Sequence, residues 1–153
     1  MNLSLSLEGL SFIESWEKFR DKVYQDSAGL DTIGFGHKCL KGEIWPVAGI
    51  DIERARKVLL TDLQDPSRAV RILVHVPIEQ HHFDALVSFT FNLGQGSLRI
   101  STLLKKINAS GIKAAAEEFE RWDHAGGQES NGLLVRRKAE KEIFLNGVYV
   151  NHA

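Results

Sequence analysis

A chain of 153 residues, 43% hydrophobic and 25% charged, has the make-up of one globular domain and is long enough to bury roughly 70% of the surface its unfolded form exposes. Nineteen basic against twenty acidic residues leave a net charge of −1, which argues against partners bound through a large positive excess, nucleic acid first among them. No apolar run reaches the roughly 18 to 20 residues of a membrane span, and a single cysteine, Cys39, excludes an internal disulfide and a thiolate metal cluster.

The opening MNLSLSLEGLSF lacks the basic and continuously apolar regions of a secretion signal, so the product is expected to stay in the cytoplasm until something releases it. A first helix is predicted from about Ser6 to Phe19, with Ser4 or Ser6 as N-cap and Leu7, Leu10, Ile13 and Trp16 on its buried side. Glu17 falls on that apolar stripe. Partial burial favours the protonated form of a carboxyl, which suits a general acid; the plainer alternative is a helix-terminal Glu reaching water, Arg20 or Lys22. Val23-Tyr24, Ser27-Ala28-Gly29 and Thr32 to Phe35 then read as strand, turn and strand, with Asp26 either capping the turn or acting in chemistry. Gly34 and Gly36 bare one side of the second strand, which admits a ligand close to the backbone or marks a bend.

Lys38 to Gly49 is irregular and is expected to hold a third short strand or a loop. Asp51 caps the next helix, and Asp65-Pro66 predicts a kink or a second helix before Val74, with Asp65 as cap and Pro66 in the first turn. Ile78 to Asn92 is apolar around its circumference and should be the central helix of a larger lobe, ended by Leu93-Gly94-Gln95-Gly96. Helices at Ser101 to Asn108, Ile112 to Trp122 and Leu133 to Leu145 follow, the last two separated by the turn-rich AGGQESNG. The six histidines show no HxxxH or HxxEH spacing, so no zinc site is expected, and neither a GxSxG elbow nor a phosphate-binding loop is present. What remains is the pair of acids, the minimum equipment for hydrolysing a glycosidic bond.

Glu17, Asp26 and Thr32, separated by eight and five residues within WEKFRDKVYQDSAGLDTIGFGH, resemble the catalytic signature of the phage-type lysozymes, endolysins similar to the lysozyme of T-even phages. QHHFDALVSFTFNLG from Gln80, STLLKKIN from Ser101, FERW from Phe119 and GLLVRRKAE from Gly132 extend the resemblance along the chain. It implies a lysozyme-like α+β fold of two lobes in a single catalytic domain over residues 1–153. The small β-hairpin lobe would span about residues 18–50, and a long helix would join it to a helical lobe of about 75–153 that includes the N-terminal helix. It also implies a muramidase without cofactor that cuts peptidoglycan between N-acetylmuramic acid and N-acetylglucosamine. Glu17 would be the general acid, with Asp26 and Thr32 positioning the water; inversion, the usual outcome, needs carboxyls roughly 6.5 to 9.5 Å apart.

By the same resemblance Gly36, Phe91, Asn92 and Leu93 line the substrate cleft, although Phe91 and Leu93 read equally as core. Arg136 pairs with Glu17, with Arg137 as the neighbouring alternative, and His37 pairs with Asp62. The Arg136-Arg137-Lys138 cluster is a candidate for attracting the anionic wall, or else a solvated helix face. The resemblance further implies a monomer without stable membrane insertion, held in the host cytoplasm until a holin opens the inner membrane. A lytic transglycosylase, which needs only the acid, and a non-catalytic wall-binding module are the other readings open to the residues.

Overall fold

The computed structural model describes residues 1–125 and 127–153. Helix α1 spans Leu7–Glu17 and is capped by Ser6, whose side chain accepts from the Gly9 amide. It ends earlier than the expected Phe19, because Lys18 turns out of the helix with φ 54° and the chain enters strand β1, Arg20–Gln25, within two residues. The buried face is also rotated from the expected one: Phe12 and Ile13 are fully buried, Leu10 and Trp16 only partly, and Leu7 is 82% exposed. Burying a Phe or Ile contributes roughly 1.5–3 kcal/mol. Phe12 therefore outweighs Leu7 in deciding which way the helix faces.

Strands β1, β2 (Asp31–Gly34) and β3 (His37–Lys38) form an antiparallel sheet in that order. Tyr24 stands opposite Thr32, and Thr32 opposite Lys38. Side chains at opposed positions share a face, so these three form one row across the sheet. Ile33 and Phe35 project to the core, and Phe35 meets the Phe19 ring at 5.7 Å. The expected third strand is thus only two residues long, and the chain then loops to Asp51, the N-cap of α2, Ile52–Asp62.

The connection between lobes is two helices. Helix α3, Gln64–Leu73, starts directly after a break at Leu63. Asp65 does not cap it, in contrast to the expectation; Asp65 and Pro66 lie in its first turn, where proline's missing N–H removes no helical bond. Helix α4, Gln80–Leu93, is buried continuously from Phe83 to Thr90, as its all-round apolar sequence predicts. It packs most extensively on α8, Asn131–Asn146. Between them run α5 (Gln95–Ile100), α6 (Thr102–Asn108), α7 (Ile112–Ala116), a 3-10 turn (Phe119–Arg121), and the short antiparallel strands β4 (His124–Ala125) and β5 (Gln128–Glu129). The expected Ile112 to Trp122 helix is therefore broken in two, and α5 and the β4–β5 pair add to the predicted elements. Of the turn-rich segment before α8, Gly126 lies outside the described residues.

Candidate active site

A cavity of about 730 Å³ lies between the sheet and the helical lobe. Glu17, Gly36, His37, Asp62, Phe91 and Asn92, all singled out from the sequence, are on its wall. Leu93 is not, and packs against the core instead. Asp26 and Thr32 stand outside the lining, reached through Lys38 and Tyr24, which line it and share the sheet row with Thr32.

Glu17 is the last residue of α1, and that position delivers its carboxyl to the cleft with 18% of the side chain exposed. Arg136 of α8 donates from Nη1 to Glu17 Oε1 at 2.9 Å, so the partner is Arg136 and not Arg137. Across the cleft Gly36 has φ 76°, and a Cβ built there would stand 2.8 Å from Glu17 Oε2. Glycine serves both needs, a left-handed backbone and an empty side-chain position.

Arg136 is held in a buried charged cluster. Its Nε lies 3.5 Å from Glu140 Oε2, and Arg137 Nε lies 2.8 Å from Glu140 Oε1. Ser88 donates to Glu140 Oε2 at 2.5 Å, and Arg137 Nη2 donates to Asn92 Oδ1 at 2.7 Å, which ties the cluster to the cleft wall. Burial pulls Arg137 below the ordinary guanidinium value while the charge of Glu140 opposes the fall. With Arg136 and Arg137 both buried, neither the candidate basic patch nor its alternative, a solvated helix face, describes them; only Lys138 of the three is exposed. Pairing explains why these arginines turn inward: an unpaired buried charge is costly, and Arg136 meets Glu17 while Arg137 meets Glu140 and Asn92, although Arg136 Nη2 and Arg137 Nη1 find no hydrogen-bond partner among the described residues.

Asp26 follows β1 at the turn. Its Oδ1 accepts from the amides of Ala28 and Leu30, each at 2.9 Å, and its Oδ2 accepts from Lys38 Nζ. The Lys38 ammonium first, then the Leu30 and Ala28 amides, hold the Asp26 carboxyl below the usual carboxylate value. Thr32 is fully buried, and its hydroxyl donates to the Leu30 carbonyl at 2.9 Å, leaving the oxygen free to accept. His37 Nδ1 lies 2.7 Å from Asp62 Oδ2, and its Nε2 lies 2.9 Å from Glu43 Oε1, a second acid that sequence reading missed. Tyr24, Lys38, Leu40, Thr61, Gln64, Asp65, Pro66, Thr90, Gly94 and Gln95 complete the wall and were also missed; the cross-strand register brings in Tyr24 and Lys38, and the helix break at Leu63 brings in Thr61, Gln64, Asp65 and Pro66. Among the described residues, no three His, Cys, Asp or Glu side chains group as a metal site, and no helix is long and apolar enough to cross a membrane.

An acid at a helix end, clamped by arginine over a groove of this size, fits glycoside hydrolysis. Comparison with known proteins agrees: the family model described as phage lysozyme matches residues 14–140. The chain belongs to the phage lysozyme family. It is thus a lysozyme-type enzyme of the peptidoglycan-hydrolysing class, and the lysozyme-like α+β fold holds. It is 36% identical over 146 residues to the endolysin of Salmonella phage P22, covering 94% of this chain and 99% of that one. It is 40% identical over 147 residues to the endolysin of Bacillus phage B103, covering 95% of this chain but 55% of the longer relative. The solved endolysin from Escherichia coli O157:H7 phage FAHEc1 superposes with a TM-score of 0.90 at 36% identity over 99% of both chains.

Proposed function

We propose that this chain is a muramidase that cuts the β-1,4 bond between N-acetylmuramic acid and N-acetylglucosamine in bacterial peptidoglycan. The observation that carries the reading is the carboxyl of Glu17 on the cleft wall, held at one oxygen by Arg136 and facing bare Gly36 backbone with the other. Glu17 protonates the glycosidic oxygen as the bond to the leaving sugar breaks. Arg136 then remains beside the carboxylate left behind, which stabilises the charge formed. Asp26, fixed as an anion, accepts a hydrogen from the water that attacks the anomeric carbon, and Thr32, buried behind it with its hydroxyl on the Leu30 carbonyl, helps position that water by holding the turn that orients Asp26. Asn92, its carbonyl oxygen occupied by Arg137, keeps its amide hydrogens for the sugar.

The same proposal has the enzyme wait in the host cytoplasm as a monomer until a holin opens the inner membrane.

The test compares wild type with Glu17→Gln on outer-membrane-permeabilised Gram-negative cells, following turbidity and the ends of the released glycans. General acid catalysis contributes roughly 10² to 10⁴ in rate, so the variant should clear at least about 100-fold more slowly while keeping its circular dichroism spectrum. Wild-type products should carry reducing muramic acid ends. Equal clearing by both proteins removes Glu17 from its role, and 1,6-anhydro ends would make the enzyme a transglycosylase. Expressed without a holin, wild type should clear a culture only after the inner membrane is permeabilised; spontaneous clearing counts against the release step.

A further inference from the structure

Asp26 has three donors, and two of them are local backbone. The Ala28 and Leu30 amides both meet Oδ1, so the turn alone fixes one oxygen and leaves the carboxylate free to pivot about it. The third donor comes from a different strand. Lys38 is the last residue of β3, separated from β1 by the whole of β2, and its register opposite Thr32 places it on the cleft face of the sheet. From there its side chain reaches Asp26 Oδ2. Among the described residues no other charged side chain bonds Asp26, and Lys38 itself lines the cavity.

We infer that Lys38 is a positioning residue for the hydrolysis: its ammonium fixes Oδ2 of Asp26, so that the carboxylate holds the attacking water in one orientation. This rests on the reading of Asp26 as the water-positioning acid. Three donors on two oxygens leave a carboxylate with acceptor capacity for one more hydrogen, which is what a bound water needs. A stabilising role alone does not account for the contact. Lys38 is 54% exposed, and exposed ion pairs contribute little to folding. Asp26, in contrast, is only 16% exposed, so its carboxylate is the shielded member of the pair.

The experiment uses the full chain with Lys38→Met, Lys38→Arg and Asp26→Asn, assayed on soluble peptidoglycan fragments, together with 13C NMR titration of the Asp26 carboxyl. Lys38→Met should raise the Asp26 titration midpoint and lower kcat about tenfold with KM within twofold of wild type. Lys38→Arg, which keeps the charge, should recover at least half of kcat. An Asp26 titration unmoved by Lys38→Met overturns the inference, as does a loss confined to KM, which would make Lys38 a substrate contact. A shifted titration with unchanged kcat, while Asp26→Asn is inactive, overturns it too. Full activity of Asp26→Asn would instead remove Asp26 from its role, a failure of the underlying reading that the other variants do not produce.

Discussion

Gly36 links backbone conformation to the candidate acid at a single position. Its φ of 76° lies in the left-handed region, and a methyl group there would press on Glu17 Oε2 from 2.8 Å. The two consequences separate by comparison with Gly42, whose φ is 88° but whose built Cβ meets nothing within 4 Å. Placing an L-residue in this region costs about 1–2 kcal/mol, which for a domain of this size is a fall in Tm of about 2–8 °C. Gly36→Ala and Gly42→Ala should therefore lose similar stability in thermal unfolding. Only Gly36→Ala should lose activity, by about tenfold or more, since the flexible Glu17 side chain yields before the backbone does. Equal lytic rates for the two variants, measured below both melting temperatures, would mean that the position of Glu17 tolerates displacement.

At the scale of elements, β3 and α2 meet through His37. Burial opposes a charge on this imidazole, yet its bonds to Glu43 and Asp62 outweigh burial and hold its pKa above the ordinary value of about 6.5. Burial pushes Asp62 upward as well, a shift that resists the same ion pair. Two acids on one ring decide for the imidazolium. Because the folded pKa is raised, the contribution is complete below about pH 6.5 and is lost as pH rises through the folded value. Tm should fall between pH 6.5 and 9 in wild type, and His37→Asn should flatten that slope. An identical slope in the variant would place the pH dependence elsewhere; His82, lowered by burial, titrates on the other side of the window.

The elements also show where sequence reading works. Helices α1, α4 and α8 were legible because ten or more residues repeat an apolar pattern, and the β1–β2 hairpin because Asp26, Ser27 and Gly29 are turn residues. Six-residue α5 and the two-residue strands β4 and β5 carry no period to read. Glu17 was legible from spacing and resemblance, whereas Lys38 reaches Asp26 only through the register of three strands. Arg137 and Glu140 look like a solvated helix face in RRKAEKE and are buried only because they answer each other.

On the scale of the whole molecule, net charge and fold together predict how the enzyme meets an anionic wall. The net charge is −1, and Arg136 and Arg137 are committed inside to Glu17, Glu140 and Asn92. The cleft wall carries Glu17, Asp62 and Asp65 against Lys38 and His37, so no positive funnel leads to it. Association should then depend on uncharged contacts and shape, with electrostatic steering contributing little. Raising salt from 10 to 150 mM shortens the Debye length from about 30 to about 8 Å, enough to remove long-range attraction where it exists. The initial clearing rate of wild type should change less than about threefold over that range. Asp65→Lys supplies the contrast, because Asp65 lies on the cleft wall with 79% of its side chain exposed and a partner, Arg68, that is exposed too. That variant replaces a negative charge with a positive one at the cleft, so it should clear faster than wild type at 10 mM and converge on it at 150 mM. A wild-type rate that falls tenfold with salt would show that a local field, hidden in the net charge, brings the enzyme to the wall.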